Sequence, residues 1–150
     1  MQNELKNQMY DFYEKNKKIY SPIFWLVKLT PQWLWHLEIK DKNHKRSDKK
    51  CIVRMKCFLY INEIINKSYL YQEYKQEQED IMVKKNGRKI RERKIVQYFG
   101  LVWIIKSSHW SLLRIKVVLK KVQDWSNVEF VLVIPARSIK WYNRLYREDE

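Results

Sequence analysis

The Asn86-Gly87 pair limits what this 150-residue chain can fold into more than any other feature. A two-residue β-hairpin turn of type I′ needs positive φ at both central positions, and Asn-Gly is the pair that takes it most readily. Such a turn also sets the register of everything around it. Lys85 falls opposite Arg88, Val83 opposite Ile90, Asp80 opposite Arg93 and Glu79 opposite Lys94. The last two pairs join opposite charges across the ladder, an interaction of a few tenths of a kcal/mol each. They answer the acidic run QEQED, but they leave Lys84, Lys85, Arg88, Lys89 and Arg91 near the tip with no acid opposite.

That local excess belongs to a wider imbalance. The net charge is +14, and residues 81 to 121 hold twelve Lys and Arg against the single acid Glu92. A surplus of this size repels itself in the folded state, and a polyanionic partner is the usual reason to carry it. Lysines spread evenly for solubility would not cluster in this way. Composition otherwise points to a packed protein: 45% of residues are apolar and 15% aromatic, which argues against disorder. One Ala and one Thr against 22 Lys and 15 Ile suggest AT-rich coding, as in a mobile element, virus, organelle or AT-rich bacterium.

Periodicity divides the rest of the chain. Residues 2 to 19 read as an amphipathic helix with Leu5, Met9, Phe12, Tyr13 and Tyr20 on one stripe, ended by Pro22. Short strands are expected at 23 to 30 and 33 to 40, then a solvated loop at 41 to 50, DKNHKRSDKK. CIVRMKCFLYI (51 to 61) reads as a strand, which would set Cys51 and Cys57 about 20 Å apart, too far for a disulfide or a shared metal. A strand over 67 to 80 leads into the hairpin. Residues 95 to 106 are apolar on both faces, as in a central strand, with a bulge expected at Gly100. In LLRIKVVLKK (112 to 121), Leu113, Ile115, Val117 and Leu119 share one face at period two. The last strand, 128 to 135, is expected to stop at Pro135 and give way to a helix over 136 to 148.

The expected fold is therefore α+β: an antiparallel meander of six to seven strands, strongly twisted or closed as a barrel, with a helix at each end. One globular domain, residues 1 to 150, would carry a basic β-hairpin arm at 79 to 95. No apolar stretch approaches the ~20 residues that span a bilayer, and the polar start of the chain is no secretory signal. The expected setting is intracellular: cytoplasm, nucleoid or organelle, with no membrane partner.

A twisted two-stranded ribbon fits a nucleic-acid groove, and Lys and Arg supply phosphate contacts without reading sequence. The expected nucleic-acid-binding residues are Lys84, Lys85, Arg88, Lys89 and Arg91 at the tip, Arg114, Lys116 and Lys120 on the polar face of 112 to 121, and Arg137, Lys140, Trp141 and Arg144 on the terminal helix. Interleaved aromatics favour RNA or single-stranded DNA over duplex. The leading expectation is a non-enzymatic nucleic-acid-binding protein, a subunit of a ribonucleoprotein or mobile-element complex. The alternative is a protein-interaction module, such as a small inhibitor or assembly subunit, docking its basic face on an acidic protein.

Catalytic signals are sparse, and no cofactor is expected. The strand pattern His36-x-Glu38-x-Lys40 resembles the restriction-endonuclease-like nucleases, which would imply a metal-dependent site at Glu38 and Lys40. GLVWIIKSS followed by VEFVLVIP also resembles the end of such a domain, with Lys106 in the lysine position and Ile104 in place of the acid, a catalytically dead version. His44 with Asp41 and Asp48 is explained by loop polarity, so no metal is expected. With Gly87 and Gly100 as the only glycines, a glycine-rich phosphate loop is excluded.

Overall fold

The structure, a computed structural model, describes residues 2–32, 39–41, 44–45, 48–106 and 112–138. Among the described residues there are three helices and eight strands. Helix α1 (Gln2–Lys15) is followed by the strands β1 (Lys18–Ser21) and β2 (Trp25–Lys28), then the short ribbon β3 (Ile39–Asp41) and β4 (His44–Lys45). Helices α2 (Asp48–Phe58) and α3 (Ile61–Lys67) precede four long strands: β5 (Glu73–Lys85), β6 (Arg88–Lys106), β7 (Leu112–Val122) and β8 (Val128–Ser138).

The main sheet has six strands in the order β1-β2-β8-β7-β6-β5. Strands β5 to β8 form the expected antiparallel meander, but β2 joins β8 in parallel, Val27 opposite Val128. The sheet is therefore mixed and open, with edges at β1 and β5, rather than an antiparallel barrel. The hairpin register matches the expected one at Lys85–Arg88, Val83–Ile90, Asp80–Arg93 and Glu79–Lys94. Asn86 and Gly87 both take positive φ, +50° and +76°, as a type I′ turn requires.

Helices cover one face of the sheet. Leu5 and Met9 from α1, Met55 and Phe58 from α2, and Ile61, Ile64 and Ile65 from α3 pack on Phe99, Leu101, Ile115, Val117, Leu119, Phe130 and Val133. Phe58 stands edge-on between Phe12 and Phe130, at centroid distances of 5.3 and 5.8 Å. Burying these side chains contributes roughly 1.5–3 kcal/mol each.

Several expectations are corrected. Residues 51 to 58 are helical and Ile61 opens α3 after a two-residue turn, because the segment buries Cys51, Arg54, Met55 and Phe58 at helical spacing. Arg54 hides the pattern: it is a charge inside the buried stripe, where its guanidinium donates to the Val133 carbonyl at 2.8 Å. The six-residue spacing of Cys51 and Cys57 then corresponds to about 9 Å of helix rise, and both are buried free thiols. Residues 67 to 72 belong to α3 and the turn after it, so β5 begins at Glu73. Helix α1 stops at Lys15, where the Asn16 side chain donates back to the Phe12 carbonyl at 2.9 Å. Pro22 therefore lies in the β1–β2 turn, whose amides at Ile23 and Phe24 are bonded to the Ser21 hydroxyl.

The loop expected at 41 to 50 contains β4 and the start of α2. Gly100 sits in regular register between Glu73 and Val118, without a bulge; the irregularity falls instead at Val118/Leu119, opposite β8. Strand β8 runs past Pro135 to Ser138, so residues 136 to 138 are strand and not helix. The rest of the expected terminal helix, and residues 33 to 38, lie outside the described residues.

Candidate functional site

Strand β7 ends at Val122, opposite Val96. Beyond that point the residues of β6 from 88 to 95 have a strand partner on one side, β5. The hairpin thus projects about 26 Å past the six-stranded sheet. Its root is held on the face away from the helices, where Ile81, Val96 and Val122 are buried with Val83, Tyr98 and Trp125 packed against them. The β7–β8 turn folds over this cluster, and Asp124 meets the Lys94 ammonium at 2.5 Å. That contact, with Glu92 nearby, holds Lys94 above its usual pKa and Asp124 below the usual carboxylate range. Lys94 is thereby drawn away from Glu79, which accepts instead from the Tyr98 hydroxyl at 2.5 Å. Asp80 and Arg93 do pair, at 3.6 Å.

At the tip the five unexplained cations separate. Lys85 is not without an acid, since Glu92 reaches it diagonally across the ribbon, and hydrogen bonding to Lys85 lowers the Glu92 pKa. Lys84, Arg88, Lys89 and Arg91 are exposed and make no ion pair among the described residues. Moreover, Lys84 stands directly opposite Lys89, and Lys85 opposite Arg88. Like charges facing each other across a ladder oppose strand pairing.

The alternation of the strands sorts these charges by face. From Glu73 to Lys94, the carboxylates Glu73, Glu77, Glu79 and Glu92 point away from the helix side. The helix-side face carries Lys84, Lys89, Arg91 and Arg93 against Asp80 alone, and Asp80 is occupied by Arg93. One face of the arm is balanced; the other is strongly positive. The linear sequence, with both sets interleaved, does not display this.

The chain matches no protein-family model, no curated protein and no solved structure.

The remaining expected residues lie elsewhere. Arg114 and Lys116 are not exposed phosphate contacts: both are largely buried and share the Glu73 carboxylate, at 2.9 and 3.0 Å. Gly100 makes room for this cluster, because a Cβ there would lie 2.9 Å from Glu73 Cβ. Beside it is a groove of about 720 Å³, walled in part by Glu73, Tyr98 and Lys116. Its central carboxylate is already held by two cations. Lys120 is half-buried opposite Glu129. Arg137 lies on β8 opposite Leu113, and Lys140, Trp141 and Arg144 lie outside the described residues.

Of the nuclease pattern, His36 and Glu38 are also outside the described residues, and Lys40 falls on the short strand β3. In the second nuclease-like correspondence, β6 pairs directly with an antiparallel strand, β7, where that fold would place a helix. No helix among the described residues is long and apolar enough to cross a membrane.

Sequence reasoning missed the aromatic group at the root of the arm. Tyr71, in the turn before β5, and Tyr74 lean on Phe99 at 5.0 and 5.4 Å, each about half exposed. The signal was present in the run Tyr69 to Tyr74, but its assignment to a strand hid which rings share a side.

Proposed function

We propose that this is a non-enzymatic nucleic-acid-binding protein that grips the phosphate backbone with its arm. The observation that carries the reading is the exposed set Lys84, Arg88, Lys89 and Arg91, with no ion pair among the described residues and Lys84 directly opposite Lys89, at the end of a ribbon projecting about 26 Å from the sheet. A hairpin built for stability alone would place an acid in at least one of these positions. Phosphates arriving at the tip turn the repulsion into attraction and release counterions, which supplies affinity for any sequence. RNA or single-stranded DNA, within a ribonucleoprotein or mobile-element complex inside the cell, is the favoured partner.

The test is binding of labelled single-stranded RNA, single-stranded DNA and duplex DNA across a salt series. Micromolar or tighter binding should weaken steeply with salt. The double substitution Lys84→Gln, Arg88→Gln should lower affinity about equally for all sequences and flatten the log–log salt slope by up to ~2. Unchanged affinity would overturn the assignment of the tip. No binding even at low salt, with a stoichiometric complex on an acidic protein, would replace this reading with the protein-interaction one.

A further inference from the structure

We infer that a single strand of nucleic acid lies along the helix-side face of the arm, its bases stacking at Tyr71 and Tyr74 and its phosphates meeting the cations toward the tip. This rests on the nucleic-acid reading above and adds to it a stacking site and a path.

The cover on this face of the sheet reaches Phe99, which is 7% exposed and has Phe24 of the β1–β2 turn at 4.7 Å. Past Phe99 the face opens. Tyr71 and Tyr74 stand at that boundary, 6.1 Å apart, with Phe99 beneath both. Strand propensity does not account for Tyr71, which lies in the turn before β5. The Tyr74 hydroxyl donates to Gln76 at 2.8 Å and accepts from Gln97 at 3.1 Å, which fixes the ring against the sheet. Next along the ribbon, Gln78 accepts from Arg93 at 3.1 Å. Arg91 and the Lys84–Lys89 pair complete the row.

The order is therefore aromatic, amide, guanidinium, ammonium, over about 33 Å from Tyr74 to Lys84, with Met82 and the Arg93-paired Asp80 also on this face of β5. Aromatic rings accept any base through its π face, and amide side chains offer both donors and acceptors to base edges. A duplex presents its bases stacked inside and can use the cations but not the rings. The row suits about five nucleotides, inside the roughly 4–16 that single-strand sites occupy.

The experiment measures binding of labelled oligo-dT and oligo-U of increasing length, and of a short duplex, across a salt series. Affinity should rise with length and level off at about five or six nucleotides. The double substitution Tyr71→Ser, Tyr74→Ser should weaken single-strand binding about tenfold, leave the salt slope unchanged and leave duplex binding unchanged. Tyr74→Phe, which keeps the ring, should bind as the native protein does. Gln76→Glu, at an exposed position where folding is not at stake, should weaken single-strand binding severalfold by placing in the path a carboxylate that, unlike Asp80, has no cation opposite it.

Native single-strand affinity in both the serine and glutamate variants would overturn the path. So would equal losses for single strand and duplex. If binding depends on Lys84 and Arg88 but not on the tyrosines, the path falls and the nucleic-acid reading stands. If the native protein binds no oligonucleotide at low salt, both fall.

Discussion

At the scale of single residues, Gly100 shows how a sheet position can be reserved for a neighbour's charge. Its hydrogen is the space in which Glu73 reaches Arg114 and Lys116. Gly100→Ala would bring a Cβ to 2.9 Å from Glu73 Cβ, which is anchored to β5 and not the end of a flexible chain. The two strands must separate or the carboxylate must turn away. We expect a loss of about 1–3 kcal/mol in urea unfolding, and a native-like midpoint would show that β5 yields freely. In the sequence this glycine was legible as a special position, but the reason was not. A bulge and a close side-chain approach both call for glycine, and only the register distinguishes them. Arg54 was illegible for a related reason: a cation in a buried stripe breaks the apolar periodicity by which a helix is recognised.

Among the elements, the β5–β6 hairpin was the most legible, because a two-residue turn determines register without help from the rest of the fold. Helices α2 and α3 were the least. Their Ile, Val and Phe content suits a strand, and packing on the sheet overrides that preference. For the arm, stability and function should separate. Lys89→Glu places a carboxylate opposite Lys84 and converts repulsion into a cross-strand ion pair. The hairpin should gain a few tenths of a kcal/mol, read as slower amide exchange at residues 82 to 91, while affinity for oligonucleotides drops. A variant that bound as tightly as the native protein would remove the tip from the proposed interface.

For the molecule as a whole, a buried thiol and a half-buried phenol tie stability to alkaline pH. Burial raises the Cys57 thiol from 9.0 to about 12, with Arg54 opposing the shift. Tyr98 is pushed up by burial and by its hydrogen bond to Glu79. Both hold their protons more tightly in the folded protein, so the unfolded chain ionises first as pH rises. Their contribution is complete below pH 9 and is lost as pH climbs toward 12, with Cys57 alone worth up to ~4 kcal/mol. Thermal midpoints measured from pH 8 to 11 should fall, and Cys57→Ala should flatten the decline; an identical slope in that variant would assign the effect elsewhere. The meander was legible at this scale from alternation alone. The parallel joining of β2 to β8 was not, since no local pattern marks two strands a hundred residues apart as neighbours.

That same joining governs the order in which the molecule is made. Val27 cannot find Val128 until β8 has left the ribosome, roughly 5–20 s after β2 at ordinary synthesis rates. Throughout that interval β1 and β2 wait as an unattached hairpin, and late in it the basic arm, closed by its own turn, emerges ahead of β8. The nascent chain therefore passes through a stage in which the arm proposed to meet nucleic acid is closed while the core beside it still lacks its last strand.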